Sequence, residues 1–270
     1  MPLKGQKIGF LGGGAMGEAL LTGLVRTGLA PSALYVSDIS APRLDYLKQK
    51  LGVNITTDNV AMVQEVDIVI LAVKPHLAAD VLKNVAAAVR PGQTFISIAA
   101  GITTGLIESY LEGRIPVVRV MPNTPCLVGE GASAVSAGKY AAEDNVAMAL
   151  AVFGAAGKAV EVPETLLDCV TGLSGSGPAY MYMILEGFID GAVHLGLPRQ
   201  VARELMAQTM LGAARMVLDS DEHLGKLRDQ VTTPGGTTIA GLFAMEEGAL
   251  RSVLMKTVAA AAQRSRELSG

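Results

Sequence analysis

The sequence is short of cysteine, of clustered basic charge and of long hydrophobic runs, and each shortage excludes a class of protein. The two cysteines, Cys126 and Cys169, lie far apart and form neither a CxxC pair nor a His/Cys spacing that binds metal. The sequence therefore favours a reduced protein without a structural metal over a disulfide-stabilised domain or a metal centre. Since no histidine or other base accompanies either cysteine, we interpret both as small buried apolar residues rather than nucleophiles.

Basic charge is scattered along the chain. Charged residues make up 17% of the 270 residues and the net charge is −3, so no electrostatic footprint for nucleic acid is present. The longest apolar runs, such as residues 66–73, have the length of a strand, whereas a membrane-spanning helix needs about 20 apolar residues. The N-terminal residues lack the pattern of a secretory signal. We expect a cytoplasmic protein that binds neither nucleic acid nor membranes.

Half of the residues are hydrophobic, which is enough to bury a sizeable core. Between residues 7 and 162, short β-branched runs alternate with amphipathic segments, which predicts βαβ units and a mostly parallel sheet. The runs 67–73 and 94–99 are almost continuously apolar, as central strands are. Residues 132–138 and 158–162 are predicted as strands at the far edge of the sheet.

From about Val162 onward, apolar residues recur at helical spacing and no strand candidate intervenes. We predict that residues 163–270 form an all-α domain. Its helices are apolar around much of their circumference, which favours packing against a second copy of the chain. Burial of these helices within their own protomer is the alternative.

The segment "IGFLGGGAMGEAL" contains Gly12-x-Gly14-x-x-Gly17 between an apolar strand and a helical pattern. The first glycine permits a tight turn, the second lets the backbone approach a pyrophosphate, and the third lets helix and strand pack closely. In this context the triplet predicts dinucleotide binding rather than a merely structural turn. The fold class predicted for residues 1–162 is therefore α/β, a Rossmann-type dinucleotide-binding domain.

The end of the second predicted strand bears on the choice of cofactor. Asp38 lies 21 residues after Gly17, where a carboxylate accepts hydrogen bonds from the adenosine ribose, and by itself it favours NADH. Ser37, Ser40 and Arg43 lie close by and could accommodate a 2′-phosphate, so NADPH and NADH both stay open. Capping of the next helix is the alternative role for Asp38.

Other polar and small residues follow the later strands at the carboxyl edge of the sheet, where ligands bind in such folds. Lys74 is a candidate contact to cofactor phosphate or ribose, or else an ordinary solvated lysine. Asn123 and Thr124 reach the same edge, but they could equally be turn formers. Residues 174–177, "SGSG", are predicted as a loop that either packs closely or faces a ligand, since no strand leads into a nucleophile elbow.

The segment "QVTTPGGTTIAG", residues 230–241, places four threonines between helical patterns. Pro234, Gly235 and Gly236 end one segment and expose the N–H groups of the next helix, which begins near Thr237 and Thr238. Such a helix start is an anion site that needs no basic residue. A plain connection between two helices, the alternative, needs only one capping residue.

Five motifs together resemble those of the pyrroline-5-carboxylate reductases: "FLGGGAMGEAL", "LAVKP", "MPNTP", "TGLSGSGPAY" and "TTPGGTTIAGL". The resemblance covers nearly the whole chain. It implies an NAD(P)H-dependent enzyme that reduces 1-pyrroline-5-carboxylate to L-proline, the last step of proline biosynthesis. It also implies a Rossmann domain followed by a helical domain that interlocks with a partner's in a homodimer, with decamers in some members.

The resemblance also implies site residues. It places the substrate carboxylate on Thr233 and on the backbone N–H groups of Thr237 and Thr238, puts the catalytic Thr238 hydroxyl near the ring nitrogen, and adds Asp221 of the partner subunit. The implied cofactor contacts, beside Ser37 and Asp38, are Leu11, Gly12, Gly13, Gly14, Ala15, Met16, Gly17, Asn59, Ala72, Val73, Lys74, Pro75, Ala99 and Ala100, and more weakly Glu164 and Gln230.

The chemistry of imine reduction agrees with these residues. A protonated iminium accepts hydride readily, so a hydrogen-bonding threonine suffices and no histidine is required. We interpret His76, His194 and His223 as structural. Two alternatives are a reductase of another cyclic imine and a non-catalytic nucleotide-binding dimer. A β-hydroxyacid dehydrogenase is disfavoured because residues 178–196 contain no lysine.

Overall fold

The computed structural model describes residues 2–269. The chain forms two compact units, one made of the residues up to 176 together with those from 260 onward, and the other of residues 177–259. The boundary predicted after residue 162 marks the end of the strands, and as a division between domains it stays a prediction. Among the residues described, no helix has both the length and the apolar character that crossing a membrane requires.

The first unit is built on one eight-stranded sheet. Its strands are β1 (Ile8–Leu11), β2 (Leu34–Ser37), β3 (Asn54–Thr56), β4 (Ile68–Leu71), β5 (Thr94–Ser97), β6 (Val117–Met121), β7 (Gly131–Ala137) and β8 (Gly157–Glu161). Their order in the sheet is β3-β2-β1-β4-β5-β6-β7-β8, and every neighbouring pair is parallel except β6 and β7. The predicted α/β fold and the two edge strands are confirmed.

Helices connect these strands and form the second unit. Those of the first unit are α1 (Ala15–Arg26), α2 (Ala41–Leu51), α3 (Asn59–Glu65), α4 (Pro75–Val85), α5 (Thr104–Tyr110), α6 (Glu143–Gly154) and α7 (Leu167–Val170). After them come α8 (Gly177–His194), α9 (Arg199–Leu218), α10 (Leu224–Asp229), α11 (Thr237–Glu247) and α12 (Leu250–Ser269). As the apolar spacing predicts, no strand occurs between residue 162 and the end of the described chain.

The core of the first unit lies on both faces of the sheet. Along β4, Ile68 and Ile70 point into one apolar cluster, while Val69 and Leu71 point into the other. All four side chains are fully buried, because helices cover the sheet on both sides. This explains why the central strands read as unbroken apolar runs instead of alternating with polar residues.

The second unit leaves many large apolar side chains exposed. They are Met181, Tyr182, Met183 and Phe188 on α8, Leu205, Leu211, Met216, Val217 and Leu218 on α9, Ile239 and Phe243 on α11, and Val253, Leu254 and Met255 on α12. Isolated exposed apolar residues are normal, but so many on four helices mark an interaction surface. The alternative that a single protomer buries these helices is wrong.

Two local predictions are corrected. Residues 171–175, read partly as loop, continue the helix from α7 as a π-helical turn, and a Cβ on Gly175 would lie 2.8 Å from the Met121 methyl group. Gly175 therefore allows close packing within a helical turn. Cys126 is buried as predicted, and burial raises the pKa of its thiol, but Cys169 is exposed. Leu167 faces the core in α7, so Cys169, two residues later, faces away.

Candidate functional site

A cavity of about 420 Å³ opens at the carboxyl ends of β1, β2 and β4. Nine of the predicted cofactor residues line it: Leu11, Gly12, Gly14, Ser37, Asp38, Asn59, Ala72, Val73 and Lys74. Five further residues line it that the sequence reading did not assign to the cofactor: Ile39, His76, Leu77, Asp80 and Val81. His76, interpreted from the sequence as structural, lies in the first turn of α4 and lines the same cavity as Lys74.

The glycine turn after β1 gives each glycine a different role. Gly12 has a φ of +108°, and a Cβ there would lie 2.8 Å from the carbonyl oxygen of Ala72. A Cβ on Gly17 would lie 2.7 Å from the carbonyl oxygen of Gly12. The fold itself thus requires glycine at both positions.

Gly14 differs from the other two glycines of the motif. Its φ is −65°, which any residue adopts, and it precedes α1 without any side-chain cap. A Cβ at Gly14 would meet no protein atom within 4 Å. Open space beside uncapped N–H groups at a helix start fits a pyrophosphate, so the residues present fit a dinucleotide.

Asp38 follows β2 and is tied to the glycine turn. Its Oδ2 accepts a hydrogen bond from the N–H of Gly13 at 2.8 Å, and its Oδ1 accepts one from the N–H of Ser40 at 2.9 Å. Ser40 precedes α2, and the carboxylate does not reach the N–H groups of the first helical turn. Asp38 is therefore oriented by backbone donors on two sides while it lines the cavity.

Arg43 of α2 is held by the same turn. Its Nε donates to the carbonyl oxygen of Gly13 at 2.6 Å, and its Nη2 forms an ion pair with Glu18 of α1. Lys50 and Tyr46 also donate to Glu18, at 2.7 and 3.1 Å. Burial alone would raise the pKa of Glu18, but the hydrogen bonds from Lys50, Arg43 and Tyr46 outweigh it and lower that pKa to about 2. Glu18 is thus an anion throughout the neutral range.

The remaining predicted cofactor residues of the first unit lie near the turn or after β5. Gly13, Ala15, Met16 and Pro75 belong to the starts of α1 and α4, and Ala99 and Ala100 follow β5. Ser37, which is buried, donates a hydrogen bond to the side-chain oxygen of Asn59. This bond holds the Asn59 amide at the cavity wall.

Asn123 has a structural role in the first unit. Its side-chain amide donates to the carbonyl oxygen of Ser174 at 3.0 Å, and its side-chain oxygen accepts from the N–H of Ala132 at 2.9 Å. The side chain thus fixes the turn between β6 and β7 against the π-helical turn. Thr124 begins the 3₁₀ helix of that turn.

Glu164 lies in a buried polar cluster. Its carboxylate accepts from the N–H of Thr104 at 2.8 Å and from the Thr104 hydroxyl at 2.6 Å. Arg119, whose side chain is 8% exposed, lies 3.1 Å from the same carboxylate. These contacts join β6, the start of α5 and the segment after β8. A cofactor contact by Glu164 stays a prediction.

We expect Glu164→Ala to lower the free energy of unfolding by about 2 kcal/mol, because it leaves the buried Arg119 guanidinium without its partner. Thermal and urea denaturation measure this effect. Glu161→Ala is the matched control, since Glu161 is exposed and makes no side-chain hydrogen bond or ion pair within residues 2–269. A normal stability with a raised KM for the cofactor would instead assign Glu164 to the cofactor site.

The threonine-rich segment lies in the second unit, at the start of α11. Gly236 is the N-cap and provides no side-chain cap. Within the described chain, the N–H groups of Thr237 and Thr238 donate no hydrogen bond, and the hydroxyls of Thr233, Thr237 and Thr238 have no partner. Thr232 differs, because its hydroxyl donates to the Arg228 carbonyl oxygen at 2.8 Å. The helix start therefore presents several free donors.

Two other predicted site residues lie nearby in the sequence of the second unit. Asp221 is exposed in the segment between α9 and α10, and Gln230 is exposed at the end of α10. His223 accepts the N–H of Gly225 at 3.1 Å and so caps the start of α10. This cap agrees with the structural role predicted for His223.

Two family models match the chain. The model described as "Pyrroline-5-carboxylate reductase dimerisation" matches residues 164–268, and the model described as "NADP oxidoreductase coenzyme F420-dependent" matches residues 7–101. The first covers the helices from α7 to α12, and the second covers the glycine turn and the cavity. The two matches fall on the two parts of the chain that carry the candidate sites.

Relatives resemble the chain over its full length. A pyrroline-5-carboxylate reductase of Methanosarcina acetivorans is 46% identical over 267 residues, which are 98% of this chain and 99% of the relative. The solved structure of a pyrroline-5-carboxylate reductase from Coxiella burnetii has a TM-score of 0.95 and 38% identity, with 98% and 99% of the two chains covered. A pyrroline carboxylate reductase of Plasmodium falciparum, solved with NADP bound, has a TM-score of 0.85 and 32% identity, with the same shares covered.

Proposed function

The chain belongs to the pyrroline-5-carboxylate reductase family, and we propose that its threonine-rich segment, residues 230–241, binds the carboxylate of the substrate. The chain is an oxidoreductase that reduces 1-pyrroline-5-carboxylate to L-proline with NAD(P)H, the last step of proline biosynthesis. The resemblance inferred from the five sequence motifs is thereby confirmed.

The observation that carries the proposal is the uncapped start of α11. The free N–H groups of Thr237 and Thr238 stand at the positive end of the helix dipole, which favours a carboxylate. No lysine or arginine occurs between residues 229 and 250, so backbone and hydroxyl donors supply the attraction. Directional donors of this kind fix the orientation of a small anion, and a fixed carboxylate positions the C=N carbon of the ring for hydride transfer.

The reduction requires little acid–base catalysis by the protein. When bound, the nicotinamide supplies the hydride for the C=N carbon. The Thr238 hydroxyl forms a hydrogen bond with the ring nitrogen. This bond stabilises the nitrogen as the iminium becomes an amine. Thr233 and the two backbone N–H groups hold the carboxylate, which is attached to the ring carbon next to that nitrogen. Asp221 of the partner subunit is assigned to the same site.

An assay of NAD(P)H oxidation with 1-pyrroline-5-carboxylate tests this function. We expect turnover with this imine and weaker turnover with piperideine-carboxylate, because the larger ring shifts the C=N carbon relative to a fixed carboxylate. Hydroxyacid oxidation with NAD(P)⁺ serves as the negative control. Binding of NAD(P)H without any imine turnover, or faster turnover of the six-membered imine, would contradict the proposal.

The helices from α8 to α12 support self-association. The family model that covers them is one of dimerisation, and the chain associates with itself through this part. We propose a homodimer in which the exposed apolar side chains of α8 and α9 are covered by the partner subunit, since so many large exposed apolar side chains on neighbouring helices are unusual on stable monomers. A decamer and a location in the cytoplasm stay predictions.

A further inference from the structure

We propose that this chain prefers NADH to NADPH, and that two carboxylates set the preference: Asp38, where a 2′-phosphate would lie, and Glu18, which keeps Arg43 away from it. The inference rests on the proposed function and specifies its cofactor. Asp38 contacts the cofactor, whereas Glu18 is a positioning residue that acts through Arg43.

Asp38 provides the first half of the discrimination. Hydrogen bonds from the N–H groups of Gly13 and Ser40 hold its carboxylate at the end of β2, against the cavity. Each oxygen keeps a lone pair for a ribose hydroxyl, which donates a hydrogen bond to it. In NADPH a 2′-phosphate replaces that hydroxyl. Its negatively charged oxygens accept hydrogen bonds but do not donate them. Like charges then face each other in a partly desolvated site, which disfavours NADPH.

The basic side chains closest in sequence to Asp38 are already engaged. Arg43 donates to the carbonyl oxygen of Gly13 and pairs with Glu18, and Lys50 pairs with the same carboxylate. Glu18 is only 17% exposed, so solvent screens these pairs less than it would on an open surface. Lys48, the third base of α2, lies about 140° around the helix from Arg43. Arg43 and Lys50 are thus engaged by Glu18, and Lys48 faces another side of α2, so none of the three is committed to a phosphate beside Asp38.

Lys74 also lines the cavity, but it follows β4 and not β2. The strand order is β2-β1-β4, so the strand ends that carry Asp38 and Lys74 are two strand spacings apart, about 10 Å. The glycine turn, where the pyrophosphate is expected, follows β1 between them. Lys74 is therefore placed to serve the pyrophosphate, which NADH and NADPH share, and it favours neither.

Direct binding of the two dinucleotides to the full-length protein tests the inference. Titrations that follow nicotinamide fluorescence give a Kd for NADH and a Kd for NADPH from one preparation, so their ratio is independent of the fraction folded. For the wild-type protein we expect NADH to bind at least about tenfold more tightly. Equal binding, or tighter binding of NADPH, would overturn the proposal.

Two variants test the two carboxylates. We expect Asp38→Ser to shift the ratio toward NADPH by at least about tenfold. Glu18→Gln removes the charge that holds Arg43, and we expect a shift in the same direction of about threefold or more. Asp45→Ser and Glu65→Gln are matched controls on the surface, for which the ratio should not change. An unchanged ratio in Asp38→Ser, or in Glu18→Gln, would overturn the role of that residue.

The experiment separates this inference from the proposed function because it needs no imine. A preference for NADH in a protein that fails to reduce 1-pyrroline-5-carboxylate would support the inference and contradict the function. Turnover of the imine with NADPH as the better cofactor would support the function and contradict the inference. Failure to bind either dinucleotide would overturn the inference and the cofactor assignment together.

Discussion

Replacing Thr238 with alanine should lower kcat for 1-pyrroline-5-carboxylate by about 100-fold, or about 2.7 kcal/mol of transition-state stabilisation, while the Kd for NAD(P)H stays within about twofold. The hydroxyl has no partner among the described residues, so the fold does not depend on it. The backbone N–H of residue 238 remains, and the carboxylate keeps that donor. Steady-state kinetics with the imine and a separate titration of the cofactor measure the two effects.

Two further variants control this result. Thr238→Ser keeps the hydroxyl and should restore most of the rate. Thr209→Ala makes the same substitution on α9, where the hydroxyl only donates to the Leu205 carbonyl oxygen at 2.8 Å, and its kinetics should match the wild type. An unchanged kcat/KM for Thr238→Ala would contradict the role proposed for this hydroxyl.

Gly14→Ala should raise the Kd for NAD(P)H by about 100-fold, because the added methyl group enters the space where the pyrophosphate approaches the backbone. The protein itself has room for that methyl group and an allowed φ at this position. We therefore expect the free energy of unfolding to fall by less than about 1 kcal/mol, the scale of an N-cap change. Cofactor titration and urea denaturation of one preparation separate the two quantities.

Comparison with other glycines makes the Gly14 result specific. Gly12→Ala should lower both stability and binding, since its Cβ meets the Ala72 backbone and its φ is strained. Gly105→Ala on α5 should change neither, because a Cβ there meets nothing within 4 Å and the residue is helical. If Gly14→Ala bound the cofactor normally, the pyrophosphate would have to lie elsewhere.

Periodicity and motif order were sufficient to predict the sheet, because they report local physics. The continuous apolar runs of β4 and β5 reflect burial on both faces, and the glycine triplet reflects one turn with fixed steric limits. The edge strands β7 and β8 were also predicted. The antiparallel pairing of β6 and β7 was not, since pairing direction depends on the path of the connecting chain and leaves no periodic signal.

Contacts between residues distant in sequence could not be predicted. Glu18 and Arg43 are 25 residues apart, and Glu164 and Thr104 are 60 apart, so no spacing rule connects either pair. Arg43 could be read as a free base for a phosphate only because its partner on α1 was unknown. The loop prediction at residues 174–177 was wrong for a different reason, because Gly175 serves close packing inside a helical turn, which is one of the two roles expected for this segment.

The place of β1 in the sheet also has a consequence during synthesis of the chain. Ile8 pairs with Leu34 on one side and with Ile68 on the other, so β1 gains its second neighbour only after 60 further residues have been synthesised. At about 5 to 20 residues per second, a ribosome takes about 3 to 12 s to make that segment. During this interval the N–H and C=O groups on the β4 side of β1 are unpaired, and another strand could pair with them. Only the pairing of β4 closes this edge, since β2 occupies the opposite edge of β1.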